Sequence, residues 1–290
     1  MLGLKQLKRL LMVLEMIKFE HTVFALPFAF LGAFLAAQGC PPLHKVLWIL
    51  MAMFGARSSA MAFNRLVDRH IDEQNPRTAN RALPRQLLTP GFVGAFIVGS
   101  AAVFLFSARM LNPLAFKLSP LALGIVLVYS YTKRFTWLSH LILGLSLAIA
   151  PVGGWIAVRG SLEVEPFYLA AAVAFWVGGF DIIYSCQDVM FDREHRLHSI
   201  PGRLGVRRAL FVSRGFHVIM VAFLMGALGV FNLSGISWFG LVLVILGLAY
   251  EHSLVKSDDL SRVNAAFFVM NGLISIAFFV FVGVDLCLNA

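Results

Sequence analysis

Apolar stretches of about 20 residues recur along almost the whole of this 290-residue chain and restrict its fold more than any other feature. A helix of that length crosses the hydrocarbon core of a bilayer with its backbone hydrogen bonds satisfied internally. Apolar residues make up 59% of the chain and charged residues 13%, which excludes an ordinary water-soluble domain. We expect residues 1–290 to form one integral membrane domain. The runs predict an all-α bundle of nine transmembrane helices, at residues 19–38, 46–64, 91–110, 114–131, 138–158, 167–187, 210–230, 234–252 and 264–284.

The first run follows several basic residues, as the apolar core of a cleaved signal sequence does. Its apolar core is too long for a signal sequence, and eight further runs follow it. We therefore expect a retained helix.

Lys and Arg residues are distributed unequally between the two sides of the predicted bundle. Nineteen of the 24 fall on the side that holds the N-terminus, and only Lys45, Arg109, Lys117 and Arg159 fall on the other side. Cytoplasmic loops carry the excess of basic residues in membrane proteins. The sequence therefore predicts an orientation with the N-terminus and the charged loops inside and the C-terminus outside. The formal charge of +9 follows from this topology and from contact with anionic lipid headgroups. We therefore expect no nucleic-acid partner. The sequence indicates no protein partner.

The three cysteines, Cys40, Cys186 and Cys287, are far apart in the sequence. Their spacing matches no metal-binding or redox motif. We expect them to be ordinary packing residues without thiol chemistry.

Two pairs of aspartates repeat along the chain with the same internal spacing. Asp68 and Asp72 follow the second predicted helix, and Asp188 and Asp192 follow the sixth, 120 residues further on. Four helices separate the pairs. A duplicated four-helix unit with a ninth helix appended is the simplest interpretation.

Each pair belongs to a longer polar stripe. Residues four apart in an α-helix lie on one face, one turn along. If both motifs are helical, the side chains of each motif point in one direction. The first stripe holds Asn64, Asp68 and Asp72, and the second holds Asp181, Tyr184, Asp188 and Asp192.

Carboxylates on one helix face repel each other, and low-dielectric surroundings strengthen the repulsion. A cation is therefore expected between them. Hard oxygen ligands favour Mg²⁺, which keeps some waters and binds one or two carboxylates together with substrate phosphates. Basic side chains nearby would hold the same phosphates directly, namely Arg77, Arg81, Arg193 and Arg196.

The alternative is that these residues are solvated loop charges that follow the distribution of basic residues toward the cytoplasm. A single loop of this kind would favour that alternative. Two loops with matching spacing at equivalent points of a predicted repeat favour a site for metal and polyphosphate.

The same two loops resemble the aspartate-rich motifs of the membrane-embedded aromatic prenyltransferases, the 4-hydroxybenzoate polyprenyltransferase (UbiA) superfamily. NRLVDRHIDEQNPRTANR at residues 64–81 resembles the first motif, and DIIYSCQDVMFDREH at 181–195 resembles the second. The likeness extends over nearly the whole chain. It implies a helical bundle with a lateral opening to lipid and a central cavity capped by the two cytoplasmic loops. It also implies Mg²⁺-dependent transfer of an isoprenoid chain from its diphosphate to an acceptor.

The resemblance assigns metal binding to five positions and a catalytic role to the motif aspartates. YSYTK at 129–133 is similar to the family's tyrosine–lysine motif and adds two catalytic candidates. The matching positions are Asn64, Asp68 and Asp72 in the first motif, Asp188 and Asp192 in the second, and Tyr129 and Lys133 in the third.

The chain departs from the family pattern at two positions. Arg65 stands where many members have an Asp directly after the Asn, so a metal ligand there is missing or not needed. His198 stands about where many relatives have a Lys, and we keep it as a candidate for diphosphate binding.

Further side chains are substrate or catalytic candidates. Asp181 is a carboxylate inside a predicted helix and would orient the acceptor's hydroxyl or act as base, unless it pairs with Lys133 or a loop Arg. Arg57 would bind the carboxylate of an aromatic acid, unless it pairs with Glu20 or Asp181. Glu20, at the start of the first span, would face the cavity. Tyr184, like Tyr129, offers an aromatic face to an allylic cation.

We therefore expect a prenyltransferase of quinone biosynthesis that uses a polyprenyl diphosphate from the lipid side and 4-hydroxybenzoate. The same residues suit 1,4-dihydroxy-6-naphthoate of menaquinone biosynthesis, because both acceptors carry a hydroxyl and a carboxylate. A haem- or chlorophyll-directed prenyltransferase would share both motifs. A transporter would place its acids near the bilayer midplane. The motif acids here cluster at the cytoplasmic helix ends, which favours an enzyme.

Overall fold

The computed structural model describes residues 11–17 and 22–289, and no strand occurs in those ranges. A short helical segment covers residues 11–16. The longer helices are α1 (Thr22–Ala37), α2 (Leu43–Gln74), α3 (Pro90–Leu111), α4 (Pro113–Val128), α5 (Ser139–Arg159), α6 (Pro166–Ser185), α7 (Val206–Val230), α8 (Gly235–Leu254) and α9 (Asn271–Leu288).

Eight of these helices, α2 to α9 with their short continuations, are long and apolar enough to cross a membrane. The apolar part of α1, Leu26–Ala37, is shorter. The all-α membrane architecture is therefore confirmed. The number nine stays a prediction, because the first predicted span, 19–38, includes residues outside the described ranges.

Helix α2 extends well beyond the predicted second span, residues 46–64. It runs without interruption to Gln74, so that Asn64, Asp68 and Asp72 all lie on one helix. Asn75 ends the helix in an extended conformation, and Pro76 follows. The apolar run ends where the helix leaves the membrane, but nothing in the charged sequence stops the helix there.

A single residue, Asn112, separates α3 from α4. Its side-chain oxygen accepts a hydrogen bond from the Ala115 N–H at 2.8 Å and caps α4. Its amide nitrogen donates to the Ile156 carbonyl at 2.7 Å, near the end of α5. One side chain therefore satisfies backbone groups of two helices, which allows the third and fourth runs to be separate helices despite their short connection.

The predicted repeat is matched in part by the packing: α2 packs on α3 as α6 packs on α7, but the extensive packing of α5 on α6 has no equal between α1 and α2 in the described residues. In the first half α2 packs most extensively on α3, and in the second half α6 packs on α5 and α7. The two halves meet where α1 packs on α5, and α9 packs on both α8 and α1. Helix α6 is the most enclosed, with Trp176, Ile182 and Ile183 almost fully buried.

Glycines bring three helices into close contact. A Cβ atom at Gly154 of α5 would lie 2.0 Å from the Ala29 carbonyl oxygen of α1, and one at Gly32 would lie 2.0 Å from the Pro151 oxygen. Gly144 has the same relation to Ala174 of α6. Small residues permit such approach in membrane bundles, where packing rather than hydrophobicity drives helix association.

A π-helical segment, Ala265–Met270, precedes α9. π-Helical turns are rare and leave backbone carbonyls without their usual partners. The Asn271 amide donates to the Ala266 and Phe267 carbonyls at 3.2 and 3.0 Å. The segment brings the ring of Phe267 to 4.3 Å from that of Tyr184, one of the candidate site residues.

All three cysteines are free, but two of them that are distant in the sequence meet in the fold. Cys186 is buried in the continuation of α6, but the Cys40 Sγ lies 2.9 Å from the Cys287 Sγ. The two residues are 247 positions apart, so sequence spacing carries no sign of their contact.

We expect Gly154→Ala to lower the stability of the bundle, because the added methyl group must separate α1 from α5. Overpacking of this kind costs about 1–3 kcal/mol. The measurement is the thermal unfolding midpoint of the purified protein in detergent. Gly153→Ala is the matched control: it makes the same backbone change in the same helix, and its Cβ meets nothing within 4 Å. Equal midpoints for the two variants would contradict the close-packing interpretation.

Candidate functional site

Two adjoining cavities lie within the bundle. The apolar chamber has a volume of about 480 Å³ and is lined mainly by aliphatic and aromatic side chains of α2 to α6, with Arg57 among its few polar residues. The polar chamber has a volume of about 230 Å³ and is lined by the motif residues. Tyr129, Leu143 and Asp181 line both. The two chambers therefore meet at these three residues.

The first motif supplies two buried carboxylates to the polar chamber. Asp68 accepts from the Lys133 ammonium group at 2.6 Å and from Arg134 at 3.1 Å. The Asn64 amide also donates to Asp68, at 3.2 Å. Asp72 accepts from Arg81 with both oxygens at 2.7 Å. Each buried acid is thus matched by cations from another part of the chain, as burial of a charge requires.

The second motif is built around Asp188. Its carboxylate pairs with the Arg77 guanidinium and also accepts from the Asn75 amide at 3.0 Å. Burial alone would lower the pKa of Arg77, but the hydrogen bond and the charge of Asp188 raise it above its ordinary value. Arg77 therefore stays charged, and its guanidinium also lies 5.1 Å from the centre of the Tyr184 ring.

The second stripe does not lie on one continuous α-helix, contrary to the prediction. Asp181 and Tyr184 belong to α6, but the chain tightens into a 3₁₀ turn at Cys186–Asp188 before a short helix, Val189–Glu194, that carries Asp192. A 3₁₀ turn advances about 120° per residue. The tightening turns Asp188 toward Asn75 and Arg77 of the first loop. Asp192 instead accepts from the Ser199 hydroxyl at 2.6 Å.

The YSYTK residues lie in a 3₁₀ helix, Tyr129–Arg134, which continues α4. Lys133 projects to Asp68, and Tyr129 reaches the chamber junction. His198 lines the polar chamber, and its backbone N–H donates to the Lys133 carbonyl at 2.7 Å. This backbone hydrogen bond holds the second loop against the end of α4.

The structure brings most of the predicted site residues together, but not all. Arg57 lines the apolar chamber. Arg193 donates to the Gly202 carbonyl at 2.8 Å, and Arg196 occupies a left-handed turn with a φ of 53°; neither lines the polar chamber. Glu20 lies outside the described residues. The predicted residues that do line the polar chamber are Asn64, Asp68, Asp72, Arg77, Arg81, Tyr129, Lys133, Asp181, Tyr184, Asp188, Asp192 and His198.

Sequence reasoning missed several residues that shape the polar chamber. The most informative is His140, a buried residue of α5 whose Nδ1 lies 2.7 Å from an Asp181 oxygen. Asn75, Arg134 and Ser199 each bond a motif aspartate. His140 carried one available signal, a titratable residue at the start of a membrane helix. The other three look like ordinary loop residues in the sequence.

The motif residues offer oxygen donors suited to Mg²⁺, but in this structure the carboxylates mostly pair with basic residues. Within residues 11–17 and 22–289, no group of three or more His, Cys, Asp or Glu side chains is arranged to hold a metal. Carboxylate and amide oxygens are nevertheless the donors that Mg²⁺ takes, and all of them line one small chamber. The residues therefore fit a magnesium ion in their chemistry, provided that the carboxylates exchange their present partners for it.

Comparison with known proteins decides the family. The model of the UbiA prenyltransferase family matches residues 25–274. The chain belongs to this family. It is therefore an enzyme, an integral-membrane prenyltransferase.

Individual relatives agree with the family assignment. A 4-hydroxybenzoate octaprenyltransferase from Vibrio parahaemolyticus is 29% identical over 227 residues, covering 78% of this chain and 79% of the relative. A protoheme IX farnesyltransferase from Methylococcus capsulatus is 36% identical over 159 residues, covering 54% of this chain and 52% of the relative.

Solved structures of UbiA homologues share the fold. The apo structure of a homologue from Aeropyrum pernix K1 is 35% identical with a TM-score of 0.84, covering 92% of this chain and 98% of that one. A homologue from Archaeoglobus fulgidus bound to GPP and Mg²⁺ is 19% identical with a TM-score of 0.73, covering 93% and 99%. At that identity the second likeness concerns the fold alone.

Proposed function

We propose that this UbiA-family enzyme transfers a polyprenyl chain from its diphosphate to the ring of an aromatic carboxylic acid, with 4-hydroxybenzoate as the acceptor and residues 1–290 acting as one domain. The observation that carries the proposal is the junction of the two chambers at Tyr129, Leu143 and Asp181. A polyprenyl diphosphate has a charged head and a long apolar tail. A polar chamber that opens into an apolar one suits both parts of such a molecule.

The polar chamber is proposed to bind the diphosphate. Arg77, Arg81 and Lys133 are cations that now pair with motif aspartates. A diphosphate would compete for these cations, and charge-assisted hydrogen bonds to phosphate oxygens are strong. Released carboxylates would then need a new cation. Binding of the diphosphate and of a divalent metal would therefore support each other.

Mg²⁺ is the proposed cofactor, held by Asp68, Asp72, Asp188 and Asp192 with Asn64. When bound, it would neutralise the charge that develops on the departing diphosphate. The chain's own cations act in the same direction, since they lie in a small chamber where their charges are weakly screened. A homologue from Archaeoglobus fulgidus with the same fold is bound to GPP and Mg²⁺, so Mg²⁺ is the metal to test first.

The acceptor is proposed to lie at the chamber junction. Arg57 would hold its carboxylate through a bidentate pair, and Asp181 would orient the ring hydroxyl or take up the proton that the ring loses. Transfer breaks the bond between the prenyl carbon and diphosphate oxygen and forms a bond to a ring carbon. The name of the Vibrio relative, 4-hydroxybenzoate octaprenyltransferase, favours this acceptor.

Aromatic rings are proposed to steady positive charge on the prenyl carbon and to exclude water. Tyr129 lies at the junction, and Tyr184 packs against Phe267, which lines the apolar chamber. The negative face of an aromatic ring attracts a cation most when water is absent.

A second candidate is farnesyl transfer to a haem. The relative named protoheme IX farnesyltransferase shares 36% identity with part of this chain and favours it. The two candidates differ in the acceptor and agree on the diphosphate site, so one experiment with several acceptors separates them.

The site loops and the N-terminus are proposed to face the cytoplasm of a bacterial inner membrane, with the C-terminus outside. The distribution of Lys and Arg supports this orientation. A cytoplasmic polar chamber would receive the acceptor from water, whereas the apolar chamber would receive the prenyl chain from the bilayer.

The function is tested by prenyl transfer in membranes that contain the full chain, Mg²⁺ and a labelled polyprenyl diphosphate. Parallel reactions receive 4-hydroxybenzoate, 1,4-dihydroxy-6-naphthoate or protohaem. We expect a prenylated product from 4-hydroxybenzoate only. EDTA should abolish the product, and excess Mg²⁺ should restore it.

The control for that assay is the double variant Asp68→Ala, Asp188→Ala, which removes one acid from each motif and should yield no product. Product from another acceptor alone would replace 4-hydroxybenzoate with that acceptor. Activity that persists in EDTA or in the double variant would contradict the metal and diphosphate site.

We expect Arg77→Gln to raise the KM for the polyprenyl diphosphate by about 10- to 100-fold, because a charge-assisted hydrogen bond contributes about 1.5–3 kcal/mol. The acceptor KM should change much less. Arg85→Gln is the matched control, since Arg85 is an exposed Arg of the same loop and does not line the polar chamber. A donor KM that rises equally in both variants would show a general effect of surface charge instead.

A further inference from the structure

The contact between Cys40 and Cys287 joins the turn after α1 to the end of α9. Cys40 lies in the turn between α1 and α2, and Cys287 lies in the last turn of α9. Their Sγ atoms are 2.9 Å apart, less than 1 Å beyond the length of a disulfide bond, which is about 2.05 Å. Both residues are exposed, so reagents in solution reach them.

The surroundings of this pair suit oxidation. The orientation proposed above, on which this inference rests, puts the α1–α2 turn and the C-terminus on the side away from the cytoplasm, where thiols are oxidised and disulfides persist. Cys186, the third cysteine, is buried next to the second motif on the opposite side. The buried thiol of Cys186 is therefore far from the exposed pair, Cys40 and Cys287.

We propose that Cys40 and Cys287 form a disulfide on the extracytoplasmic side of the membrane. The two thiols lose two protons and two electrons as the S–S bond forms. A disulfide of an extracytoplasmic oxidase accepts the electrons by thiol–disulfide exchange and becomes two thiols. The bond ties the turn before α2 to the end of α9 and closes the seam where α9 packs on α1.

The experiment counts thiols in the full chain produced in cells. Samples are quenched in acid and denatured, and free thiols are labelled with a maleimide-polyethylene glycol before or after reduction. The wild-type chain should show one label before reduction and three after it. Cys40→Ser and Cys287→Ser should each show two labels under both conditions.

Cys186→Ser is the matched control and should show no label before reduction and two after it. Three labels on the unreduced wild-type chain would overturn the proposal. A disulfide-linked dimer on a non-reducing gel would also overturn it, because the bond would then join two chains. Reduction should lower the unfolding midpoint of the wild-type protein by about 5 °C and leave that of Cys40→Ser unchanged.

A separate observation concerns His140 in α5. Its Nε2 accepts from the Ile200 backbone N–H at 3.2 Å, so a neutral imidazole carries its proton on Nδ1. That proton is donated to Asp181 at 2.7 Å. Ile200 directly follows Ser199, which bonds Asp192 of the second motif. A continuous path therefore links the second motif to Asp181 at the chamber junction.

We infer that His140 is a positioning residue that fixes the Asp181 carboxylate toward the acceptor. The His140 side chain is only 4% exposed, whereas a quarter of the Asp181 side chain is exposed. One oxygen of Asp181 is thus occupied by a rigid donor, and the carboxylate is held in one orientation. This inference rests on the proposed function, because it assigns the acceptor to the junction.

Two amide variants test this role without removing polarity from a buried position. In His140→Asn the side-chain amide lies near the former Nδ1 position and still donates a hydrogen bond to Asp181. In His140→Gln the longer side chain puts the amide near the former Nε2 position, so the donor to Asp181 is lost. We expect His140→Asn to keep the acceptor KM within about threefold of wild type and His140→Gln to raise it about tenfold. The donor KM should change less than about twofold in both.

His195→Asn is the control for loss of a histidine, since His195 is exposed and does not line the polar chamber. Equal acceptor KM values for the Asn and Gln variants, or equal rises in donor and acceptor KM, would overturn the positioning role. A wild-type chain with no activity on any aromatic acid would instead overturn the proposed function. The two failures are therefore distinguishable.

Discussion

Pairing of buried carboxylates with cations is the interaction on which the site depends. Asp68 and Asp72 are almost fully enclosed beside the membrane, where an isolated charge is expensive. Their partners come from outside α2: Lys133 and Arg134 follow α4, and Arg81 lies in the first loop. Arg77 of that loop pairs in turn with Asp188 beyond α6. The two loops and the end of α4 are held together by these pairs.

Because of these ion pairs, the cations and carboxylates of the polar chamber can exchange their present partners for a diphosphate and a metal. Each of the three cations proposed to hold a diphosphate is already oriented by a carboxylate, and each of those carboxylates is proposed to hold a metal. Removing one partner alone would leave a buried charge behind. Replacing both partners together, by a metal and a diphosphate, keeps each charge matched. Most of the apolar chamber needs no such balance, because its lining is mainly aliphatic and aromatic. The exceptions are Arg57 and Asp181, which are proposed to bind the acceptor.

Local features of the site could be predicted from the sequence, and contacts between distant segments could not. The stripe of Asn64, Asp68 and Asp72 follows from helix geometry alone, and α2 has that geometry. The second stripe is interrupted by the 3₁₀ turn at Cys186–Asp188, where Asp188 pairs with Arg77, 111 residues earlier. Sequence periodicity carries no sign of such a contact. The hydrogen bond from His140 to Asp181 and the contact of Cys40 with Cys287 were missed for the same reason.

Arg65 departs from the family pattern and adds a positive charge to the carboxylates and cations that line the polar chamber. A basic residue occupies a position where many members have an Asp, and its side chain lines the polar chamber. Its Nε donates to the Met16 carbonyl at 3.4 Å, which connects α2 to the segment of residues 11–17. Exchanging an Asp for an Arg changes the charge of the lining by two units, the charge of one Mg²⁺. Compared with a chain that has Asp at this position, the lining of the polar chamber is therefore two charge units more positive, and the Arg65 guanidinium itself contributes one of them.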